Sequence, residues 1–127
     1  MFSLASIVQV ALGGAAGSVL RYMTNVAAGR LFGTGFPMGT LIVNVLGSFL
    51  MGVLVVFLAE KGLTRHAPLL MTGLLGGFTT LSAFSLDTVT LWERGQTGLA
   101  LAYVALTLIL SLAAIVLAMQ LLKGTFA

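Results

Sequence analysis

Four apolar runs, each near the ~20 residues that a helix needs to cross a bilayer, constrain this chain more than any other feature. They cover roughly residues 4–20, 38–58, 69–91 and 99–122. Polar residues close each run: Arg21-Tyr22, Glu60-Lys61, Trp92-Glu93-Arg94 and Lys123. Pro37 and Pro68 stand just before the second and third runs, where a missing N–H costs nothing. Tyr22 and Trp92 stand at run ends, as interfacial aromatics do. The links are too short to hide a soluble domain. Charged residues make up 7% of the chain, against about 25% in a soluble domain. The expected fold class is therefore an all-α membrane protein, with one four-helix transmembrane domain over residues 1–127. No cation precedes Arg21, so the first run is expected to stay as a span and not to be cleaved as a leader. The lack of cysteine excludes a disulfide framework and a thiolate metal site. Six dispersed cations do not form a nucleic-acid patch.

Lys and Arg normally set the orientation of such a protein. Here Lys61, Arg65 and Lys123 fall on one face, and Arg21, Arg30 and Arg94 on the other. The balance selects no direction. Either the early arginines decide, or the chain inserts both ways and oppositely oriented copies pair, as inverted repeats do in larger transporters. Glycines number 16, many of them inside spans. Small residues let backbones approach in lipid, and so many small faces on four helices suggest that more than one copy assembles.

Polar groups inside spans carry the chemistry, because an unsatisfied one costs several kcal/mol there. Thr40, Asn44 and Ser48 lie four apart on one face of the second span. Tyr103, Thr107 and Ser111 repeat the spacing in the fourth. A lone hydroxyl usually bonds its own i−4 carbonyl, but the Asn44 amide needs more partners than one carbonyl supplies. It is either glue between helices or part of a polar path. The third span reads "LLGGFTTLSAFSLDTVTLW", and its Gly76-Gly77 and Thr79-Thr80 pairs are poor helix formers. A π-bulge, kink or unwound turn is expected there, with carbonyl oxygens that would attract a hard cation. Phe78, Leu81 and Phe84 then recur every three residues. Such a stripe serves as core, or offers positive ring edges to an anion. Asp87 is the one acid inside a span, and intramembrane carboxylates are functional by default.

The whole chain resembles the Fluc (CrcB) fluoride channel family. The resemblance rests on Gly17-Ser18-Val19-Leu20-Arg21 in the first span and on Gly39 to Gly47, "GTLIVNVLG", in the second. It rests above all on Thr72 to Ser85, "TGLLGGFTTLSAFS", in the third. It implies an antiparallel, dual-topology homodimer in the bacterial inner membrane. It further implies two narrow pores and a structural Na⁺ at the centre of the dimer interface, held by the main-chain carbonyls of Gly76 and Thr79. The implied fluoride route uses Asn44, Ser82, Phe84, Thr40, Tyr103, Thr107 and Ser111, with Asp87 along the same track and Arg21 at the pore mouth. The chain departs from the family pattern at Leu81, where a phenylalanine is usual, and at Ala83, which is frequently threonine. Leucine has no polarised ring edge to offer at its position on the route. The expected partners are a second copy, fluoride and lipid, without nucleotide or nucleic acid, and the activity is passive export, not enzymatic. Two other readings compete. A proton-coupled multidrug-type exporter needs a central carboxylate, and the first run contains none. A purely structural subunit explains the glycines but neither the polar stripes nor the interrupted span.

Two lysines added to the Gly95-Gln96-Thr97 link are expected to bias insertion toward one orientation and to lower the yield of active dimer. Full fluoride efflux from cells whose topology tags report a single orientation would contradict an obligate antiparallel pair.

Overall fold

The computed structural model describes residues 3–126 as helices joined by short turns. Helix α1 (Leu4–Phe32) starts at Ser3, whose hydroxyl accepts the Ser6 N–H at 3.3 Å. It stops at Gly33, whose φ of 78° disfavours any side chain. Helix α2 (Met38–Glu60) follows Pro37 directly. A 3₁₀ turn, Thr64–His66, leads into a π-helical segment, Pro68–Leu75, which continues as one α-helical turn, α3 (Gly76–Phe78). Thr79 and Thr80 are extended, and helix α4 (Leu81–Glu93) begins after them. Gly95, with φ of 80°, turns the chain into α5 (Thr97–Phe126). Four segments are long and apolar enough to span a membrane: Leu4–Phe32, Met38–Glu60, Thr64–Glu93 and Thr97–Gly124.

The helices outrun the apolar windows. Helix α1 has 29 residues, so at about 1.5 Å per residue it is longer than the ~30 Å hydrocarbon layer. Its Arg30 end therefore reaches the headgroup region, and Arg21 lies within the helix instead of at its end. The interruption of the third span also sits later than its glycines suggest. Gly76 and Gly77 remain helical, and the main chain opens at the two threonines. Branching at Cβ favours extended backbone over helix, and the glycines are needed elsewhere.

Their use is close approach within one chain. A methyl on Gly13 would strike the Leu69 carbonyl, and one on Gly17 would strike the Leu74 carbonyl and the Phe78 nitrogen. From the other side, a methyl on Gly77 would lie 2.7 Å from the Gly14 carbonyl. Gly13/Gly17 on α1 and Gly73/Gly77 on the third span thus form two facing small-xxx-small pairs. Gly52 fits α2 against α5 in the same way, since a methyl on it would lie 2.7 Å from the Ile115 carbonyl. Most span glycines are accounted for inside the protomer, so their number alone does not require a second copy. Gly29 and Gly98, near helix ends, meet no neighbour, and Gly76 in the third span is exposed with only the Met71 carbonyl of its own segment nearby.

The apolar core joins Leu41, Leu91, Ala100 and Tyr103, with Phe36, Met38, Val45 and Phe84 packed around them. Large apolar side chains cover the outside, among them Leu12, Leu101, Ile109 and Leu112. On α4 the outward residues are Leu81, Leu86, Val89 and Trp92. This is a multi-pass membrane protein by length and composition of its helices.

Gly17→Leu is expected to abolish the α1 contact, because the obstacle is rigid backbone and overpacking costs about 1–3 kcal/mol or more. Gly98→Ala, where no atom lies within 4 Å, should leave stability unchanged. Thermal unfolding of both purified variants in detergent checks the contrast.

Candidate functional site

The break at Thr79-Thr80 exposes main-chain polar groups at membrane depth, and side chains take them up. The Thr80 N–H donates to Asn44 Oδ1 at 2.8 Å, and Asn44 Nδ2 donates to the Thr80 carbonyl at 3.0 Å. One amide side chain thus pairs both groups of one residue, as a neighbouring strand would. Asn44 is therefore glue between α2 and the third span, and it still retains one Nδ2 proton. Thr80 also caps α4, its Oγ1 accepting the Ala83 N–H at 3.1 Å and lying 3.3 Å from the Ser82 hydroxyl. Both the N–H and the hydroxyl of Thr79 donate to the Leu75 carbonyl, at 3.0 and 2.9 Å. Arg21 Nε reaches across from α1 and donates to the Gly77 carbonyl at 3.0 Å.

These bonds have a consequence for two carbonyls. In an unbroken helix the Gly76 carbonyl would accept from the Thr80 N–H, and the Thr79 carbonyl from the Ala83 N–H. Those two donors serve Asn44 Oδ1 and Thr80 Oγ1 instead. Gly76 and Thr79 have therefore lost their helical donors.

A groove of about 370 Å³ runs beside the break. Asn44 and Ser48 of α2, Thr79 and Thr80 of the break, Leu81 and Phe84 of α4, and Thr107 and Ser111 of α5 all line it. Thr24, Ser85, Thr88 and Thr90 each donate to their i−4 carbonyl. Thr107 and Ser111 do not, and among the described residues their buried hydroxyls have no partner. An unpartnered buried hydroxyl costs about 1–3 kcal/mol, and these two can donate into the groove without giving up another bond. Gln9 is a further such group, its Oε1 buried and without a partner among the described residues. A lone amide near a helix end gives no signal of what it faces.

Tyr103 is fully buried. Its hydroxyl donates to Asp87 Oδ2 at 3.1 Å, with the Thr40 hydroxyl beside it. Its ring meets Phe36 edge-on at 5.6 Å between centroids and Phe84 at 5.3 Å. Beyond this cluster, at the end of the bundle, a second cavity of about 310 Å³ is lined by Asn25, Thr40, Asp87, Thr90 and Arg94 and by the 33–37 turn.

The residues singled out in sequence thus divide. Asn44, Leu81, Phe84, Thr79, Thr107 and Ser111 meet at the groove, while Thr40 and Asp87 lie at the end cavity, with Tyr103 between the two sets. Ser82 is exposed beside Thr80, and Gly76 is exposed next to the break. Arg21 lines neither cavity and serves the break. Asn25 and Arg94 were missed as lining residues, since one fell in a presumed link and the other read as a span terminus.

Residues 8–119 match the family described as CrcB-like protein, Camphor Resistance (CrcB). A protein of Cereibacter sphaeroides named "Fluoride-specific ion channel FluC" is 64% identical over 124 residues, covering 98% of this chain and 99% of the relative. Proteins of the same name from Paracoccus denitrificans and Agrobacterium fabrum are 54% and 47% identical, each over at least 95% of both chains. With the family match and the relatives both running nearly end to end, this chain belongs to the CrcB family.

Proposed function

We propose that this protein is a fluoride-selective channel of the bacterial inner membrane, working as an antiparallel homodimer that lets fluoride leave the cytoplasm down its electrochemical gradient. The observation that carries the reading is the 64% identity, over nearly the full length, to a protein named as a fluoride-specific ion channel. The groove supplies fitting chemistry. Fluoride is small and strongly hydrated, so a dry route must offer close hydrogen-bond donors in place of water. The Thr107 and Ser111 hydroxyls are uncommitted, and Asn44 retains an Nδ2 proton. The Leu81 and Ser82 N–H groups open helix α4, where helix N-termini favour anions. Phe84 lines the groove with a ring whose edge is positive. Leu81, 75% exposed, lines it without one.

The assembly is supported by three observations. The outward face of α4 carries Leu81, Leu86, Val89 and Trp92. Gly76 is exposed in the same span, and with Arg21 held inside the bundle the remaining cations stand nearly balanced, Lys61, Arg65 and Lys123 on one aqueous face against Arg30 and Arg94 on the other. A sodium ion fits the break, because the Gly76 and Thr79 carbonyls have lost their helical donors and oxygen dipoles suit a hard cation. When bound there, it would supply positive potential where the dielectric is low. Asn44 contributes by taking the Thr80 N–H that would otherwise serve the Gly76 carbonyl, and Arg21 by holding the adjoining Gly77 carbonyl. A proton-coupled exporter is the weaker reading, since the carboxylate of Asp87 is engaged by Tyr103 and α1 contains no acid.

Liposomes containing the purified protein should release fluoride and retain chloride; equal release of both, or of neither, would refute the proposal. Asn44→Asp replaces the donor to the Thr80 carbonyl by an acceptor. It is expected to cut fluoride flux at least ~10-fold, the effect of losing about 1.4 kcal/mol, while size-exclusion chromatography reports whether the dimer persists. Wild-type flux would contradict the role given to Asn44. Leu81→Phe adds a ring edge to the groove, and its efflux rate should equal or exceed wild type; a folded, inactive variant would show that the groove has packed around leucine.

A further inference from the structure

We propose that the cavity bounded by Asn25, Thr40, Asp87, Thr90 and Arg94 is the aqueous entrance of the anion route, and that Arg94 is the residue that recruits anions to it. The inference rests on the channel reading above and assigns the entrance charge to a residue other than Arg21. Arg21 is spent on the Gly77 carbonyl and borders neither cavity.

Arg94 is placed by the end of α4. Its N–H bonds the Thr90 carbonyl at 3.1 Å, and the left-handed Gly95 turns the chain away immediately after it. The main chain is thereby fixed at the rim, where the Arg94 side chain is exposed and lines the cavity. Thr90 and Asp87 follow inward on the same helix face at i−4 and i−7, and both line the cavity. Among the described residues Arg94 has no ion-pair partner. The charged groups that line this cavity are Arg94 and Asp87 alone. Seven residues of helix set them about 10 Å apart, and the deeper one already accepts the Tyr103 hydroxyl. An anion approaching from water therefore meets the guanidinium first, then the Thr40 and Asn25 side chains, and then the aromatic cluster that leads to the groove. A cation held at a concave mouth raises the local anion concentration and the entry rate. In an antiparallel pair, one such mouth opens on each side of the membrane.

Fluoride efflux from liposomes at two ionic strengths, set with an impermeant potassium salt, tests this. The Debye length is about 30 Å at 0.01 M and 3 Å at 1 M. At 0.01 M, Arg94→Gln should lower the initial rate about two- to fivefold and Arg94→Glu further, whereas Arg94→Lys should stay near wild type. At 1 M the four proteins should converge. Arg30→Gln removes a charge from the same aqueous face without touching the cavity and should have the smaller effect. Equal rates for Arg94→Gln and wild type at 0.01 M would overturn the entrance assignment and leave the channel reading standing. So would a deficit that salt does not erase, or an equal deficit in Arg30→Gln. No efflux from wild type itself would overturn both.

Discussion

A helix that opens inside a membrane must find partners for the groups it frees, and in this protein Asn44 finds them for Thr80. Two hydrogen bonds, at 2.8 and 3.0 Å, satisfy the N–H and the carbonyl of Thr80, the second residue of the break. Without them both groups would be unsatisfied in a site that water reaches poorly, at several kcal/mol each. The pairing also fixes geometry. It diverts the Thr80 N–H from the Gly76 carbonyl, lets Thr80 cap α4 through its hydroxyl, and aims the start of α4 toward the groove. The remaining features of the site are arranged around that one amide.

The first half of the third span is held as firmly by different means. Gly13 and Gly17 admit the Leu69 and Leu74 carbonyls to van der Waals contact with α1, and Gly77 admits Gly14 in return. Such contacts replace the hydrophobic driving force that lipid removes. The π-helical turns of Pro68–Leu75 lie along this contact, and Pro68 donates no N–H to them. Arg21 completes the anchorage by donating to the Gly77 carbonyl. The half-span before the break is thus clamped to α1, and the half after it is clamped to α2 and α5 through Asn44 and the Tyr103 cluster. The break is the joint between these two clamped halves.

Much of this was legible in the residues. Hydropathy located the four spans, because a bilayer demands long apolar runs. Two aligned polar stripes located the groove, since Asn44, Thr107 and Ser111 recur at helical spacing on helices that prove to face each other. The poor helix formers located the break to within a few residues. What remained hidden depended on tertiary contact. A glycine does not announce which helix will press on it, so Gly13, Gly17, Gly73 and Gly77 read as faces for another copy. Hydropathy falls at Arg21 and Asn25, although the α1 hydrogen bonds run on to Phe32. That cost the reading both the true place of Arg21 and the cavity that Asn25 borders. The widened turns at Pro68–Leu75 arise in the packed structure and leave no periodic trace in the sequence.

The joint at Thr79-Thr80 can be observed directly in protein reconstituted into lipid. Solid-state NMR of uniformly ¹³C-labelled protein reports main-chain conformation through Cα and Cβ shifts. The account predicts extended-type shifts at Thr79 and Thr80 alone, between helical shifts from Phe78 backward and from Leu81 onward, with a cross-peak linking the Asn44 side chain to Thr80. Helical shifts running unbroken from Gly76 through Phe84, with Asn44 remote from Thr80, would contradict it.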